Sequence, residues 1–415
     1  MTIESGRRFD VVVFGATGFT GKLVAEYLAK GGEAKRLRWA IAGRDKKKLE
    51  ALKAELVRLD PALGDALGVL VADSADRAAL DEVARQTKMV ATTVGPYVAY
   101  GRELASACAE NGTHYADLTG EVPFIRESID RNHARARQTG AHIVHSAGFD
   151  SIPSDMGVFM LHQHFAAQDQ KLARAWFFCE AVKGGMSGGT VTTMTTMFEG
   201  ASRDRDMRRL LMNPYALSPD GERGPDADRY RIRFESRIGK WVCPFLMGAI
   251  NTRNVHRSNA LLGYPYGRDF RYSEEMSTGS GPAGFARATA ISGGMATFAT
   301  LAATSVGRRV IKPFQPSPGE GPSADAREAG FFKIRIIGEA EAREGETPVR
   351  ADAEIHGHRD PGYGETALML AESALCLALD PLESPGGVLT PSVAMGTHLL
   401  NRLRAAGMTF RVVAP

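Results

Sequence analysis

The sequence predicts an α/β chain, with a doubly wound parallel sheet in its first part and a second α+β domain whose sheet is largely antiparallel. Up to about residue 145, apolar segments typical of buried parallel strands alternate with segments of helical periodicity. After that point, strand-like runs are separated by longer, turn-rich segments. The length of 415 residues allows two domains, each with its own core.

The first strand and the glycine-rich turn after it carry the clearest functional signal. Residues 11–14 form a continuous apolar run, and a helix is predicted over 19–30. Gly15 allows a tight turn, Gly18 lets the backbone approach a pyrophosphate, and Gly21 allows close helix packing. The N-terminus of such a helix favours an anion. We therefore predict a Rossmann-type dinucleotide site formed by Gly15, Ala16, Thr17, Gly18, Phe19, Thr20 and Gly21.

The end of the second strand, predicted at 37–42, indicates which dinucleotide binds. Arg44 lies where NADP sites favour an arginine near the 2′-phosphate and NAD sites place a carboxylate. A guanidinium group suits a phosphate well, so Arg44 favours NADPH. The three lysines at 46–48 fit a solvated helix start. Asp45 could bind the ribose, or it could cap the helix that runs to residue 59.

Four further strands complete the predicted parallel sheet. They are placed at 69–72, 89–94, 114–118 and 141–145, with helices at 76–86, 100–110 and 123–139 between them. In such sheets ligands bind beyond the carboxyl ends of the strands. Further cofactor contacts are therefore predicted at Asp73, Thr93, Gly95 and Pro96. Residues 1–150 are predicted to form this cofactor domain.

The second domain is predicted over residues 151–361. Its elements are helices at 154–165 and up to 198, and strand-like runs at 172–180, 229–234, 268–273, 331–339 and 349–356. The charged, Pro- and Gly-punctuated stretch 203–228 is predicted to be a surface excursion. Helices at 365–379 and 392–404 are predicted to pack back on the first domain, within a segment of about 362–415.

Composition excludes some functions. The net charge of +3 gives no global basis for nucleic-acid binding. Four scattered cysteines form no CxxC pair, and the start of the chain is short and polar, so we expect a cytoplasmic protein without a signal peptide. The histidines have no metal-ligand spacing, so no metal site is expected.

The stretch 288–306 carries no charge over nineteen residues, which approaches the length of a membrane span. It is rich in Ala, Thr, Ser and Gly rather than Leu or Ile. Two interpretations stay open. It could be a packed helix or one at a subunit interface, as in a homodimer, or it could face a membrane surface or an acyl chain.

Several motifs along nearly the whole chain carry a family resemblance. They include Gly-Ala-Thr-Gly-Phe-Thr-Gly at 15–21, Ala-Gly-Arg at 42–44, Thr-Val-Gly-Pro-Tyr at 93–97, Tyr-Ala-Asp-Leu-Thr-Gly-Glu at 115–121 and Gly-Phe-Asp-Ser-Ile-Pro-Ser-Asp at 148–155. With these motifs the chain resembles the saccharopine dehydrogenase-like oxidoreductases, most closely their trans-acting enoyl reductase branch. The resemblance implies NADPH-dependent reduction of a carbon–carbon double bond on a lipid or polyketide chain held by a carrier domain of a synthase.

Enoyl reduction sets requirements for the remaining residues. A hydride goes to the β-carbon of an unsaturated thioester, the enolate oxygen is stabilised, and the α-carbon takes a proton. Tyr97, Tyr100 and Asp150 are the candidate catalytic residues. Each tyrosine could instead only pack beside the Gly-Pro turn, and Asp150 could only fix the crossing between domains.

Other polar groups keep two interpretations each. Asp117, Thr119 and Glu121 cluster at a strand end, and Glu121 could touch ligand or cap the next helix. The backbone of 187–190 could approach a thioester or be a flexible turn.

Two other functions stay open beside enoyl reduction. An imine or amino-acid reductase like saccharopine reductase would gather arginines around substrate carboxylates, for which Arg253 and Arg257 are candidates. A non-catalytic, lipid-associated NADP-binding protein would partition to membranes. A basic patch for an acidic carrier protein would favour enoyl reduction, with candidates at 203–209 and 308–312.

Overall fold

The computed structural model describes residues 6–31, 36–185, 188–219, 224–226, 231–311 and 321–413. These residues fall into two compact units. The first unit takes its described residues from 6–152, 321–322 and 362–406, and the second takes them from 153–311, 323–361 and 407–413.

Over residues 9–144 strands alternate with helical segments, and the segment between the fourth and fifth strands consists of two helices. The elements are β1 Phe9–Phe14, α1 Phe19–Lys30, β2 Trp39–Gly43, α2 Lys46–Leu59, β3 Gly68–Val71, α3 Arg77–Gln86, β4 Thr87–Thr92, α4 Tyr97–Tyr100, α5 Arg102–Asn111, β5 His114–Asp117, α6 Val122–Thr139 and β6 His142–Val144. Helices α5 and α6 both end at a glycine with left-handed backbone, Gly112 at φ +65° and Gly140 at φ +79°.

The middle of the chain is mixed. Its elements are α7 Ile152–Ala166, β7 Leu172–Lys183, α8 Gly188–Arg203, α9 Arg205–Met212, β8 Arg233–Glu235, β9 Lys240–Pro244, α10 Gly248–Leu261, β10 Arg271–Gly279, α11 Gly281–Ala303, α12 Ser305–Ile311, α13 Ala324–Glu328, β11 Phe331–Ala340 and β12 Arg350–Gly357. The last part contains α14 Thr366–Leu379, β13 Gly387–Leu389, α15 Pro391–Ala405 and β14 Thr409–Val413.

The first unit is built on a parallel sheet with strand order β13-β6-β5-β4-β1-β2-β3. Every residue of β1 is buried, as expected of a strand covered on both faces. Helix α14 packs in this unit, where the hydroxyl of Tyr27 donates to Glu372 at 2.6 Å. The predicted doubly wound sheet is confirmed, but with seven strands instead of six. The seventh, β13, has only three residues and pairs Val388 with Ile143, so its sequence shows no strand periodicity.

The second unit is built on a sheet with order β14-β12-β11-β7-β10-β9-β8. All its neighbours are antiparallel except β7 and β10. The predicted, largely antiparallel second sheet is therefore confirmed. Strand β14 pairs with β12, so residues 407–413 of the predicted 362–415 segment lie in this unit rather than the first.

Two regions of the second unit differ from the prediction. The expected excursion over 203–228 contains a helix, α9, which begins because the side chain of Asp204 accepts the amides of Asp206 and Met207 at 2.8 and 3.3 Å. Residues 220–223, 227 and 228 of that stretch lie outside the described residues, as do residues 229 and 230 of the predicted run 229–234. The strand β9 and the helix α10 were not predicted.

The charge-free stretch 288–306 forms most of α11 and the start of α12. Phe285 and Ile291 on α11 are 47% and 36% exposed. None of the helices in the described parts of the chain has both the length and the apolarity that crossing a membrane requires.

Candidate functional site

The turn after β1 has the geometry that phosphate binding needs. Gly15 adopts φ +82°, and its amide donates to the carbonyl oxygen of Ala42 at 2.8 Å, which ties the ends of β1 and β2 together. A Cβ on Gly21 would lie 2.2 Å from the carbonyl oxygen of Gly15. Only glycine therefore lets α1 start this close to the strand.

The two residues that precede α1 are exposed to solvent. Its N-cap is Gly18, which has no side chain to accept the first amides of the helix. Thr17 and Gly18 are exposed, Phe19 and Thr20 are half-buried, and Ala16 is buried. An anion could approach these amides along the helix axis, where the dipole favours it.

The end of β4 borders the same turn. The amide of Thr93 donates to the carbonyl oxygen of Phe14 at 3.1 Å, and its hydroxyl donates to that of Gly15 at 3.3 Å. A Cβ on Gly15 would meet Val94 at 2.5 Å. The structure thus brings Thr93 and the glycine turn together. Gly95, which is exposed, and Pro96 follow and lead into α4.

The end of β2 presents Arg44. Its side chain is exposed, and within the described residues it makes no ion pair. Asp45 is the N-cap of α2, because its carboxylate accepts the amide of Lys48 at 3.1 Å. The capping interpretation of Asp45 is therefore the one that the structure shows. The hydroxyl of Thr17 lies 4.0 Å from where a Cβ of Gly43 would stand, so this strand end adjoins the glycine turn.

Asp73, the predicted contact after β3, is exposed. Its carboxylate accepts the amide of Ala75 at 2.9 Å, and its carbonyl oxygen accepts the amide of Asp76 at 3.0 Å. These bonds shape a local turn that leads into α3. One carboxylate oxygen is therefore used by the backbone.

Tyr97 does not have the geometry predicted for a proton donor. It is 7% exposed, and its hydroxyl donates to the carbonyl oxygen of Thr92 and accepts the amide of Leu118, both at 3.2 Å. Burial raises the pKa of Tyr97 well above its ordinary value, and the nearby Asp117 carboxylate raises it further. The hydroxyl joins the ends of β4 and β5, and the ring stacks on Phe124 at 5.9 Å. The packing interpretation of Tyr97 is the one that fits.

Glu121 holds the helix that carries both tyrosines. It is 2% exposed, and its two carboxylate oxygens accept the amides of Tyr97 and Val98 at 2.9 and 2.8 Å. It therefore caps α4, which precedes it in sequence, and its side chain makes no cap to α6. A carboxylate at a helix N-terminus also interacts favourably with the helix dipole.

A buried polar network that the sequence analysis did not identify lies beneath these loops. The carboxylate of Asp117 bonds to His145 Nδ1 at 2.7 Å and accepts the hydroxyl of Tyr115 at 2.8 Å. It also accepts the amides of Thr119 and Ser146 at 3.0 and 3.2 Å. These bonds fix the backbone after β5 and β6.

The same network contains a serine, a histidine and an aspartate connected in the order of a hydrolase catalytic triad. His145 Nε2 lies 2.8 Å from the hydroxyl oxygen of Ser128, while Nδ1 faces Asp117. All three side chains are at most 3% exposed, so no substrate could reach the serine. The arrangement is a structural network.

The other two predicted catalytic residues, Tyr100 and Asp150, and the polar residues Asp155 and Ser187 have different surroundings. Tyr100, three residues after Tyr97, is 49% exposed and presents its ring to solvent. Asp150 is half-buried at the end of the first unit. Asp155 accepts the hydroxyl of Ser258 at 2.5 Å inside the second unit. Ser187 lies outside the described residues, and Gly188 already begins α8.

The two arginines proposed to bind substrate carboxylates instead form hydrogen bonds to the backbone of the protein. Arg253 and Arg257 on α10 are 0% and 2% exposed. They donate to the backbone carbonyl oxygens of Leu211 and Leu217 at 2.7 and 2.5 Å. They therefore hold the end of α9 and the segment that follows it. In the part of the chain that the structure describes, no group of three His, Cys, Asp or Glu side chains could hold a metal ion.

Comparison with known proteins identifies the family of the chain and agrees with its fold. The family model of the saccharopine dehydrogenase NADP binding domain matches residues 11–144. A Mycobacterium tuberculosis protein assigned as a trans-acting enoyl reductase is 43% identical over 98% of this chain and 97% of its own length. The trans-acting enoyl reductase of Mycobacterium ulcerans is 39% identical over 97% of both chains.

A solved structure shows the same fold. The apo saccharopine dehydrogenase (L-Glu forming) of Saccharomyces cerevisiae aligns over 97% of this chain and 99% of its own, with a TM-score of 0.54 and 13% identity. At that identity the likeness concerns the fold alone.

Proposed function

The chain belongs to the family of the trans-acting enoyl reductases, and we propose that it uses NADPH to reduce a carbon–carbon double bond in an acyl or polyketide chain carried by a separate synthase. The observation that carries this proposal is sequence identity of 39–43% along nearly the full length of such proteins. Similarity confined to the cofactor domain would have supported only an oxidoreductase of unspecified substrate.

The residues present fit the cofactor. The turn 15–21 would hold the pyrophosphate. Because Gly21 has no Cβ, the N-terminus of α1 can lie close to the end of β1, where its amides would face the phosphates. Arg44 would bind the 2′-phosphate, because it is exposed and Asp45 is used by the backbone. When bound, NADPH supplies the hydride for the β-carbon of the unsaturated thioester.

The protein's own part in the reaction is to position the substrate, donate a hydrogen bond to the thioester oxygen, and provide a proton for the α-carbon. Tyr100 is our candidate for one of the latter two tasks, since it is exposed on the turn that follows β4. Glu121 and Tyr97 act as positioning residues, because their bonds fix that turn. Asp150 remains a second candidate.

The imine-reductase alternative is weaker, since Arg253 and Arg257 donate to backbone carbonyl oxygens instead of facing a substrate. The exposed apolar residues of α11 are the observation that supports the lipid-associated alternative. Both make distinct predictions in the same experiment.

The experiment titrates the full-length protein with NADPH and NADH, followed by nicotinamide fluorescence, and then tests NADPH oxidation with crotonyl and saccharopine-type imine substrates. Arg44→Ala should weaken NADPH binding about 10- to 100-fold, as expected for a charged hydrogen bond, and leave NADH binding unchanged. Arg58→Ala, an exposed arginine at the far end of α2, is the matched control.

The outcomes separate the three functions. Turnover of crotonyl thioester supports the proposal, and turnover of the imine alone assigns the alternative reductase. Nucleotide binding without turnover of either substrate favours the lipid-associated protein. Failure of both nucleotides to bind refutes an oxidoreductase.

A further inference from the structure

The two basic segments of the second unit converge on one carboxylate. Oε1 of Glu199 on α8 lies 2.8 Å from Nη2 of Arg203 and 2.9 Å from Nη2 of Arg308 on α12. Nε of Arg208 on α9 donates to the carbonyl oxygen of Ala201 at 3.0 Å. Segments about 100 residues apart in sequence therefore form one surface, which we call the arginine patch: Arg203, Arg205, Arg208, Arg209, Arg308 and Arg309.

The arginine patch carries an excess of positive charge. The segments 188–213 and 302–311 together contain six arginines and three carboxylates. Their net charge is +3, which equals the net charge of the whole chain. Two of those carboxylates have structural tasks, since Glu199 binds two arginines and Asp204 caps α9. The side chains of Arg203 and Arg209 are 68% and 72% exposed. The patch is therefore available to an anionic partner.

Helix α9 displays this charge on one face. Arg205, Arg208, Arg209 and Met212 follow the spacing of a single helical face and, with Asn213, line a shallow hollow. Leu210 and Leu211 are half-buried, so the apolar side of α9 is turned toward the protein. A helix that bound a bilayer would expose the opposite, apolar side.

Exposed apolar side chains accompany the arginines. Met212, Val306 and Val310 are 70%, 68% and 52% exposed. Arginine together with methionine and other apolar groups is typical of protein interfaces. Carboxylates on a partner would complement the guanidinium groups, which bind them in bidentate geometry.

We propose that the arginine patch is the docking surface for a carrier domain whose contact face is acidic. This inference rests on the proposed function, which requires the acyl chain to arrive on a separate protein. Charge complementarity would draw the carrier to the second unit and set its orientation.

The test uses the full-length protein and a panel of crotonyl-loaded carrier domains excised from polyketide synthases that lack an enoyl reductase domain. Carrier binding is measured by interferometry. Reduction is measured with the loaded carrier and with crotonyl-N-acetylcysteamine, which has no carrier. The patch variant is Arg205→Glu with Arg208→Glu and Arg209→Glu. The matched variant reverses three exposed basic residues elsewhere in the second unit, Arg174→Glu, Lys333→Glu and Arg343→Glu.

We expect the patch variant to raise Kd and KM for the carrier by about tenfold or more and to leave KM for crotonyl-N-acetylcysteamine unchanged. Raising salt from about 0.05 M to about 0.5 M should weaken wild-type carrier binding for the same reason. The matched variant should bind as the wild type does. Unchanged carrier binding in the patch variant, equal loss in both variants, or no binding by any carrier overturns the docking surface. Selective loss of binding to phosphatidylglycerol vesicles, with carrier binding kept, assigns the patch to a bilayer and also overturns it.

The two proposals fail separately. Patch-dependent carrier binding without reduction of any thioester refutes the proposed function and keeps the docking surface. Reduction of crotonyl-N-acetylcysteamine without patch-dependent carrier binding keeps the function and removes the docking surface.

Discussion

Removal of the hydroxyl from each of two tyrosines on the same helical turn should have opposite consequences. Tyr97→Phe removes a buried group that bonds to the backbone of Thr92 and Leu118. Tyr100→Phe removes a group on a side chain that is 49% exposed. The first change should therefore affect stability, and the second should affect the reaction.

The size of each effect follows from these contacts. Each of the two 3.2 Å bonds of Tyr97 should contribute about 0.5–1.5 kcal/mol, so Tyr97→Phe should lower the free energy of unfolding by about 1–3 kcal/mol. The ring remains, so the stacking on Phe124 is kept. Tyr100→Phe should change the free energy of unfolding by less than about 0.5 kcal/mol. If Tyr100 donates in the reaction, its loss should lower kcat about 10²- to 10⁴-fold.

Two measurements test this pair. Hydrogen exchange of the Leu118 amide reports the bond to Tyr97 locally, which is needed because a chain of two units need not unfold in one step. NADPH oxidation with crotonyl-N-acetylcysteamine gives kcat. Unchanged Leu118 exchange with a large loss of kcat in Tyr97→Phe would refute the assignment of Tyr97 to structure. Full activity of Tyr100→Phe would remove Tyr100 from the reaction and leave Asp150 to be tested.

Three further predictions concern the glycine turn, the α4 cap and a buried acid. Gly21→Ala places a Cβ 2.2 Å from the Gly15 carbonyl oxygen and should destabilise the first unit. In Gly18→Ala the new Cβ meets nothing closer than 3.3 Å, so this variant should fold but bind NADPH more weakly. Thermal unfolding and nucleotide titration distinguish the two variants. Glu121→Gln should speed amide exchange at Tyr97 and Val98 and cost about 1–3 kcal/mol, while the exposed Glu82→Gln should not. Burial raises the pKa of Glu274 to about 7 from its ordinary 4.5, so the folded chain binds the extra proton and stability falls as pH rises between these values. Glu274→Gln should remove that dependence, roughly 3 kcal/mol at most, and an equally steep pH profile in the variant would contradict the assignment.

Elements whose residues act locally were predicted well from the sequence. Helix α1 covers 19–30 as predicted, because a glycine turn precedes it and its apolar spacing is regular. The cap at Asp45 is also a local signal, three residues before the amide it accepts. Strand β13 could not be found this way, since it has only three residues and begins at Gly387, the last residue of a Pro-Gly-Gly sequence, so it carries too little periodicity. Helix α10 has a polar sequence that predicts exposure, yet its residues 250–259 are buried.

The site residues also divide into those with a local role, which the sequence predicts, and those with distant partners, which it does not. The glycine turn was predicted because the backbone itself demands glycine at Gly15 and Gly21. The partners of Glu121 and Arg253 lie 23 to 42 residues away in sequence, so only the folded chain brings them together. A glutamate at a strand end and an arginine pair on a helix have the same sequence pattern whether they bind ligand or backbone.

Whether a polar side chain binds ligand or backbone depends on which backbone amides need a hydrogen-bond acceptor. After β4 and β5, the turns leave amides at Tyr97, Val98 and Thr119, and the carboxylates of Glu121 and Asp117 accept them. At the start of α1 the N-cap is Gly18, which offers no side chain for the same purpose. Polar side chains at this edge of the sheet are thus used where a loop must be held, and omitted where a phosphate can take their place. Ligand contacts should accordingly be sought at the glycine turn and at the exposed Arg44 and Tyr100, not at the buried carboxylates that first attract attention in the sequence.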